Sequence, residues 1–124
     1  MSRYEYDLFV IGGGSGGIRA ARLSSSFGAR VAIAEEKYLG GTCVNVGCVP
    51  KKLFFYASHF SEEFNHAKSY GWYYNNNKFV WDDLIKNKNK EIKRLNGIYQ
   101  KILDDSNVKV FEEHAKIIDP HTIK

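Results

Sequence analysis

The sequence has 124 residues, 44% hydrophobic and 26% charged, with a formal net charge of +4 and two cysteines. That length holds one domain or part of one, able to bury a core but with few residues left to wall in a large cofactor. The basic residues are spread, and the densest run, Lys86 to Arg94, alternates with Asn and Glu as a solvated helix face does; a nucleic-acid binder would concentrate them with base-reading or stacking residues.

No stretch is long and apolar enough to span a membrane. The apolar run Leu8–Ile11 is too short for a signal peptide and follows Glu5 and Asp7. The expectation is a protein of the cytoplasm, with the mitochondrial matrix as the alternative. In such compartments a cysteine pair is more often catalytic or metal-binding than structural. The mildly basic balance suits an anionic dinucleotide or a small anionic substrate.

In chain order, Tyr6–Ile11 reads as a buried parallel strand. Gly12-Gly13-Gly14-Ser15-Gly16-Gly17 follows, then an amphipathic helix through Phe27 with Gly28 placed to end it. Arg30–Ala34 is a second strand, closed by Glu35-Glu36. Within this β-α-β unit the G-x-G-x-x-G pattern gains meaning. Gly12 suits the tight turn, Gly14 lets backbone approach a pyrophosphate, and Gly17 lets helix and sheet pack closely. The helix N-terminus offers N–H groups to phosphate. Glu35, 21 residues after Gly14, is in range of a ribose hydroxyl pair, and its charge disfavours a 2′-phosphate. Glu36 reads as a solvated neighbour.

The segment GGTCVNVGCVPKK, Gly40 to Lys52, holds both cysteines. In a regular helix, residues spaced as Cys43 and Cys48 are advance about 7.5 Å. A disulfide wants Cα atoms about 4.4–6.8 Å apart. A bridge therefore requires an irregular turn between them, which Gly47 and Asn45 suit. Zinc held by Cys43, Cys48, His59 and His66 is an alternative whose spacing misses the common patterns; two inert thiols are another. Helix is expected from about Cys48 or Pro50, where Lys51, Lys52 and the helix N-terminus would favour a thiolate.

The helix continues to Phe64, its stripe of Leu53, Phe54, Ala57, Phe60 and Phe64 expected to face the sheet. Residues 66–78 read as irregular, with Tyr70–Tyr74 at the core edge and Asn75-Asn76-Asn77 as a loop. Asp82 and Asp83 open a helix of more than twenty residues, its seam running Trp81, Leu84, Lys88, Ile92, Leu95, Ile98, Tyr99, Ile102 and Leu103. Short strands follow at Val108–Phe111 and Ala115–Ile118, with a return strand starting at Thr122.

At the cysteine segment the sequence is identified as a member of the flavoprotein disulfide reductases. All 124 residues resemble the N-terminal quarter of the glutathione reductases. DLFVIGGGSGG, GGTCVNVGCVPKK, KFVWDDLI and RLNGIYQ carry the resemblance. The short span between Glu35 and Gly40 lacks an insertion of the trypanothione and large thioredoxin reductases, and RLNGIYQ favours the glutathione branch.

The resemblance implies an α/β, Rossmann-like FAD-binding domain with a parallel sheet, incomplete at its C-terminus. Residues 1–124 would be its N-terminal part, and the NADPH-binding and dimer-interface domains would lie outside this chain. FAD would be held by Gly12, Gly14, Ser15, Gly16, Gly17, Glu35, Gly41, Thr42, Cys48 and Lys51. Cys43 and Cys48 would form the redox disulfide. Cys48 would be the thiol in charge transfer with the flavin, Cys43 the outer thiol that attacks oxidised glutathione, and Lys51 the group that tunes the ring. Ser15, Arg22 and Tyr99 would face glutathione. Leu23 departs from members that carry arginine there. No metal is implied. The complete enzyme would be a homodimer in which a His–Glu pair from the neighbouring subunit relays protons, with NADPH as co-substrate. The 124 residues alone would be inactive.

Overall fold

The computed structural model describes residues 3–75 and 78–124. Its elements are β1 (Leu8–Ile11), α1 (Ser15–Ser26), β2 (Val31–Ala34), α2 (Gly41–Val46), α3 (Cys48–Ala67), a 3₁₀ turn at Lys68–Tyr70, α4 (Trp81–Asp105), β3 (Lys109–Phe111), β4 (Ile117–Asp119) and β5 (Thr122–Ile123). Strands β1, β2 and β3 form an open parallel sheet in that order, and β4 pairs antiparallel with β5. This is the expected Rossmann-like α/β architecture.

The period-two alternation of the strands sorts their side chains between two faces. On one face Val31, Ile33 and Val108 pack with Ile18 and Ala21 of α1 and Leu103 of α4, and Leu8, Val10 and Val110 join them. On the other face Phe9 and Phe111 stack with centroids 5.8 Å apart, and Tyr6 meets both rings edge-on. Ala32 and Ala34, small and buried, leave room between them. At the opposite end of the strands from the glycine turn, Asp7 and Arg30 clamp β1 to β2. The Arg30 guanidinium donates to both carboxylate oxygens and its backbone N–H donates to one of them.

Three expectations need correction. Among the described residues the first strand, expected to be buried, has a neighbour on one side and is half-buried, with Ile11 exposed. Only β2, with a neighbour on each side, is buried along its whole length. The apolar stripe of α3 does not face the sheet: this helix packs against α2 and α4, with Phe54 stacked on Trp81 at 5.8 Å, and Phe60 is exposed. Nor is Tyr70–Tyr74 a core edge. Tyr70 and Tyr73 are about four-fifths exposed, and of this group Tyr74 packs on Phe64. The helix also runs three residues past Phe64, to Ala67. Asn76 and Asn77 lie outside the described residues.

The long helix forms, with Asp82 and Asp83 in its first turn and Leu103 fully buried near its end; of the expected seam, Trp81 and Ile98 are exposed. No helix of the described residues is long and apolar enough to cross a membrane.

Candidate active site

The site is built at the C-terminal ends of β1 and β2, where parallel sheets present their ligands. The ladder continues past the strands: Gly12 N–H donates to the Ala34 carbonyl at 2.8 Å, and Glu35 N–H to that of Phe111 at 2.9 Å. The chain then turns at Gly12, whose φ of +101° is a conformation that side chains rarely tolerate. A Cβ on Gly17 would collide with the Gly12 carbonyl oxygen, so helix α1 sits against the turn at backbone distance. A Cβ on Gly14 or Gly16 would meet nothing within 4 Å. Gly14 is the N-cap of α1, no side chain caps it, and no acidic residue stands in the first turn. The mouth of the turn is therefore open, lined by backbone, and electropositive through the helix dipole.

Glu35 is fixed by backbone. Its carboxylate accepts from Gly13 N–H at 2.7 Å on one oxygen, and from Lys37 N–H at 2.9 Å and Tyr38 N–H at 3.4 Å on the other. Burial pushes this carboxyl up, but the donors at Lys37, Gly13 and Tyr38 outweigh it and hold the group below its ordinary range. The oxygen facing Gly13 has one donor and retains a lone pair for another. Gly13 is packed closely: a Cβ there would come within 2.9 Å of Leu39 Cδ2 and 3.1 Å of Glu35 Cβ, so the Leu39 side chain would have to shift.

The cysteine segment is pressed onto this turn. Gly40 N–H donates to the Gly13 carbonyl at 2.8 Å, and a Cβ on Gly41 would lie 2.9 Å from the Cα of Gly14. Cys43 stands in α2 and Cys48 is the first residue of α3; their sulfurs are bonded, with the Cα atoms 4.6 Å apart. The expected break is present, but at Gly47 alone. There the chain leaves helical geometry (φ −125°, ψ −110°), and a Cβ would lie 2.9 Å from the Thr42 carbonyl oxygen. Two helices meeting at one glycine bring together residues that one continuous helix would separate. The four-residue zinc alternative fails, because the sulfurs are bonded to each other and both histidines lie exposed on α3.

Asn45 is helical and serves otherwise than as a turn residue. Its amide donates to the carbonyls of Leu39 at 3.1 Å and Gly41 at 2.9 Å. Asn96 of α4 donates to the same Leu39 carbonyl at 2.8 Å and to Asn45 Oδ1 at 2.9 Å. Neither asparagine had a sequence signal for this role.

Of the other singled-out residues, Lys51 lies one turn beyond Cys48 on α3 and Thr42 precedes Cys43 on α2; both are exposed. Ser15 and Arg22 are exposed on α1, two turns apart. Tyr99 is half-buried on α4, which packs beside α1, and its ring rests on the core cluster. Cys48 is exposed and Cys43 half-buried. Glu36 is exposed, as a solvated neighbour should be, and it also has a partner: His114 Nδ1 lies 2.8 Å from its carboxylate, beyond the ends of β2 and β3.

A glycine turn closing on a β-strand carboxylate, with a disulfide one segment later, is joined by a match over nearly the whole sequence. The family model described as pyridine nucleotide-disulphide oxidoreductase matches residues 6–124. The chain belongs to that family. Among curated proteins it is 49% identical over 123 residues to a glutathione reductase of Burkholderia cepacia, covering 99% of this chain and 27% of the relative. It is 48% identical to the chloroplastic/mitochondrial glutathione reductase of Pisum sativum, over 98% of this chain and 24% of the relative. A thioredoxin reductase of Emiliania huxleyi is 40% identical over 97% of this chain and 26% of that protein. The chain thus spans about a quarter of the length of these relatives. The Cys43–Cys48 disulfide and the Rossmann-like parallel sheet agree with membership of that family.

Proposed function

We propose that residues 1–124 are the N-terminal part of the FAD-binding domain of an NADPH-dependent glutathione-disulfide reductase. In this reading the NADPH-binding and interface domains lie elsewhere in the full-length protein, which works as a homodimer. The observation that carries it is the Cys43–Cys48 disulfide on a segment whose Gly40 and Gly41 abut the glycine turn.

The residues fit FAD. The open mouth at Gly14 and Gly16, with Ser15 and Gly17 in the first turn of α1, suits a pyrophosphate. Glu35 has capacity left for a ribose hydroxyl, and Gly12 shapes the turn that presents both. Gly41 and Thr42, with Cys48 and Lys51 one segment on, would border the flavin. Held by these residues, FAD would supply two-electron transfer between NADPH and the disulfide.

The chain's own part is thiol chemistry. Reduction leaves Cys43 and Cys48 as a thiol and a thiolate. The Cys43 thiol gives up its proton as its sulfur attacks one sulfur of glutathione disulfide; that S–S bond breaks, and the glutathione thiolate that leaves takes up that proton. The Cys48 thiolate then attacks Cys43 Sγ in the mixed disulfide, expelling the second glutathione as a thiolate that takes a proton from solvent, and restoring the Cys43–Cys48 bond. Two electrons leave the protein and enter the glutathione pair. Ser15, Arg22 and Tyr99 would orient the substrate, Arg22 through a carboxylate.

The test is turnover of the holoenzyme with NADPH. Glutathione disulfide should be reduced, and Arg22→Ala should raise its KM about tenfold, one charge-assisted hydrogen bond, while reduction of the flavin by NADPH stays unchanged. The likeness to the Emiliania huxleyi thioredoxin reductase favours a second reading, a different disulfide substrate. Turnover with oxidised thioredoxin and none with glutathione disulfide would decide for it.

A further inference from the structure

Helix α2 has little of its own to hold it. It has six residues, its N-cap Gly40 supplies no side-chain cap, and it ends at the break at Gly47. Isolated helices that short do not persist in water. Val44 is its one buried side chain. With the sulfurs bonded, the disulfide fastens Cys43 to α3. With the sulfurs reduced, that fastening is gone. What remains, beside buried Val44 and the Gly40 N–H bond to Gly13, is the pair of amides that ties α2 to α4: Asn96 directs both donor positions at Leu39 O and Asn45 Oδ1, and Asn45 directs its own at Leu39 O and Gly41 O. The acceptors bracket the start of α2, and the anchor is a 25-residue helix fixed in the core by Leu103. A reversed Asn96 amide would set its oxygen against two oxygens, so the arrangement has one orientation.

We propose that Asn96 is a positioning residue for the redox pair. Acting through Asn45, it holds α2 so that Cys43 stays opposite Cys48 when the disulfide is open. The inference rests on the reading of these cysteines as a reversible pair, and on no particular substrate. Held in place, the two thiols have a high effective concentration toward each other, which favours the closed disulfide over exchange with an external dithiol. Loss of the amides frees the reduced state more than the oxidised state, because the disulfide still restrains the latter. The closed form then becomes easier to reduce.

The test is equilibration of the full-length protein with dithiothreitol, read by trapping free thiols. In that exchange dithiothreitol gives up two electrons and two protons and cyclises to its own disulfide, while Cys43 and Cys48 become thiols. Asn96→Leu keeps the volume without donors; Asn96→Asp sets a carboxylate against two acceptors. Both should make the disulfide about tenfold easier to reduce, a rise in midpoint of about 30 mV. Asn45→Ala should do the same, and the Asn45→Ala/Asn96→Leu pair should add little further, since the two act as one unit. A merely structural Asn96 would lower unfolding stability and leave the exchange constant alone. The proposal is overturned by folded Asn96→Asp or Asn45→Ala protein whose exchange constant lies within twofold of the parent, or by additive effects in the double variant. The assay needs neither flavin, NADPH nor glutathione, so a wrong substrate assignment leaves it standing. A parent protein whose two thiols dithiothreitol cannot release would overturn both this inference and the reversible-pair reading.

Discussion

The Glu35 carboxylate accepts a hydrogen bond from the backbone N–H of Gly13 at 2.7 Å, across 22 residues of chain. The contact ties the end of β2 to the turn after β1, so the group suited to a ribose and the loop suited to a pyrophosphate share one rigid frame. Lys37 and Tyr38 N–H groups hold the other oxygen. The frame needs an ionised acceptor with no proton of its own.

Glu35→Gln should therefore weaken the fold. An amide presents NH₂ to one of two sets of donors, leaving a half-buried N–H without an acceptor, a cost of about 1–3 kcal/mol. The pH dependence has a definite sign. Because the folded carboxyl lies below its ordinary value, its stabilisation is fully present above the unfolded glutamate range and is lost as pH falls through the folded value. Unfolding of parent and variant in urea should differ most at neutral pH and converge in acid. A gap independent of pH would show that charge at this position is irrelevant.

Neighbouring glycines on α1 should respond with opposite signs. Gly16→Ala places a methyl in open space on a helix and should raise stability by up to about 1 kcal/mol. Gly17→Ala drives a methyl into the Gly12 carbonyl; backbone must shift, at about 1–3 kcal/mol or more. Chemical denaturation of the two variants beside the parent reads both. Equal losses would mean that helix and turn are not packed as described.

How much of this was legible beforehand depends on the range of the interaction. The β1–α1–β2 unit was readable because its signals are local: glycine spacing, a 3.6-residue period, an acid at the strand end. Most of the seam of α4 was readable for the same reason. An apolar run such as Leu8–Ile11 does not say whether one strand or two will flank it, so β1 was taken for a buried strand. The stripe Leu53–Phe64 has helical period, and period is silent on whether the partner is a sheet or another helix. The pairs Asn45–Asn96 and Glu36–His114 join residues 51 and 78 positions apart. No local pattern announces a hydrogen bond at that distance. The cysteine geometry fell between: spacing excluded one regular helix and required a break, while two helices joined at Gly47 emerged only in three dimensions.

At the other end of the strands, acid should loosen the Asp7–Arg30 clamp. Hydrogen bonds from the Arg30 side chain, then from its backbone, hold the Asp7 carboxyl down at about 2. Its contribution is present above the ordinary aspartate range and fades as pH falls toward 2. Both groups are solvent-exposed, so the effect on stability is small and salt-sensitive. The sharp readout is the ¹³C titration of the carboxyl. Asp7 should titrate near 2 in the parent and return to the ordinary range in Arg30→Ala; a parent value already in that range would dissolve the clamp.

The two thiols should differ in acidity once reduced. Cys48 is the first residue of a twenty-residue helix, no side chain caps that end, and no acid stands in its first turn. Lys51 and Lys52 follow within the same turn, and Lys51 N–H closes the first helical hydrogen bond to Gly47 at 3.0 Å. Partial positive charge from the helix end favours a thiolate. Cys43 stands in the third position of a six-residue helix, whose dipole is correspondingly small. In the proposed cycle this difference has a use. A Cys48 that is thiolate at neutral pH is ready to attack Cys43 Sγ as soon as the mixed disulfide forms. Single-cysteine variants separate the two groups. In Cys43→Ser the rate of alkylation by iodoacetamide reports Cys48, and its pH midpoint should lie about one unit or more below the ordinary thiol value of about 8.5. In Cys48→Ser the midpoint reports Cys43 and should stay near that value. Glutathione turnover should be abolished in both, since neither retains a pair. Equal midpoints, or the lower one in Cys48→Ser, would overturn the claim that the N-terminus of α3 sets the acidity of the pair.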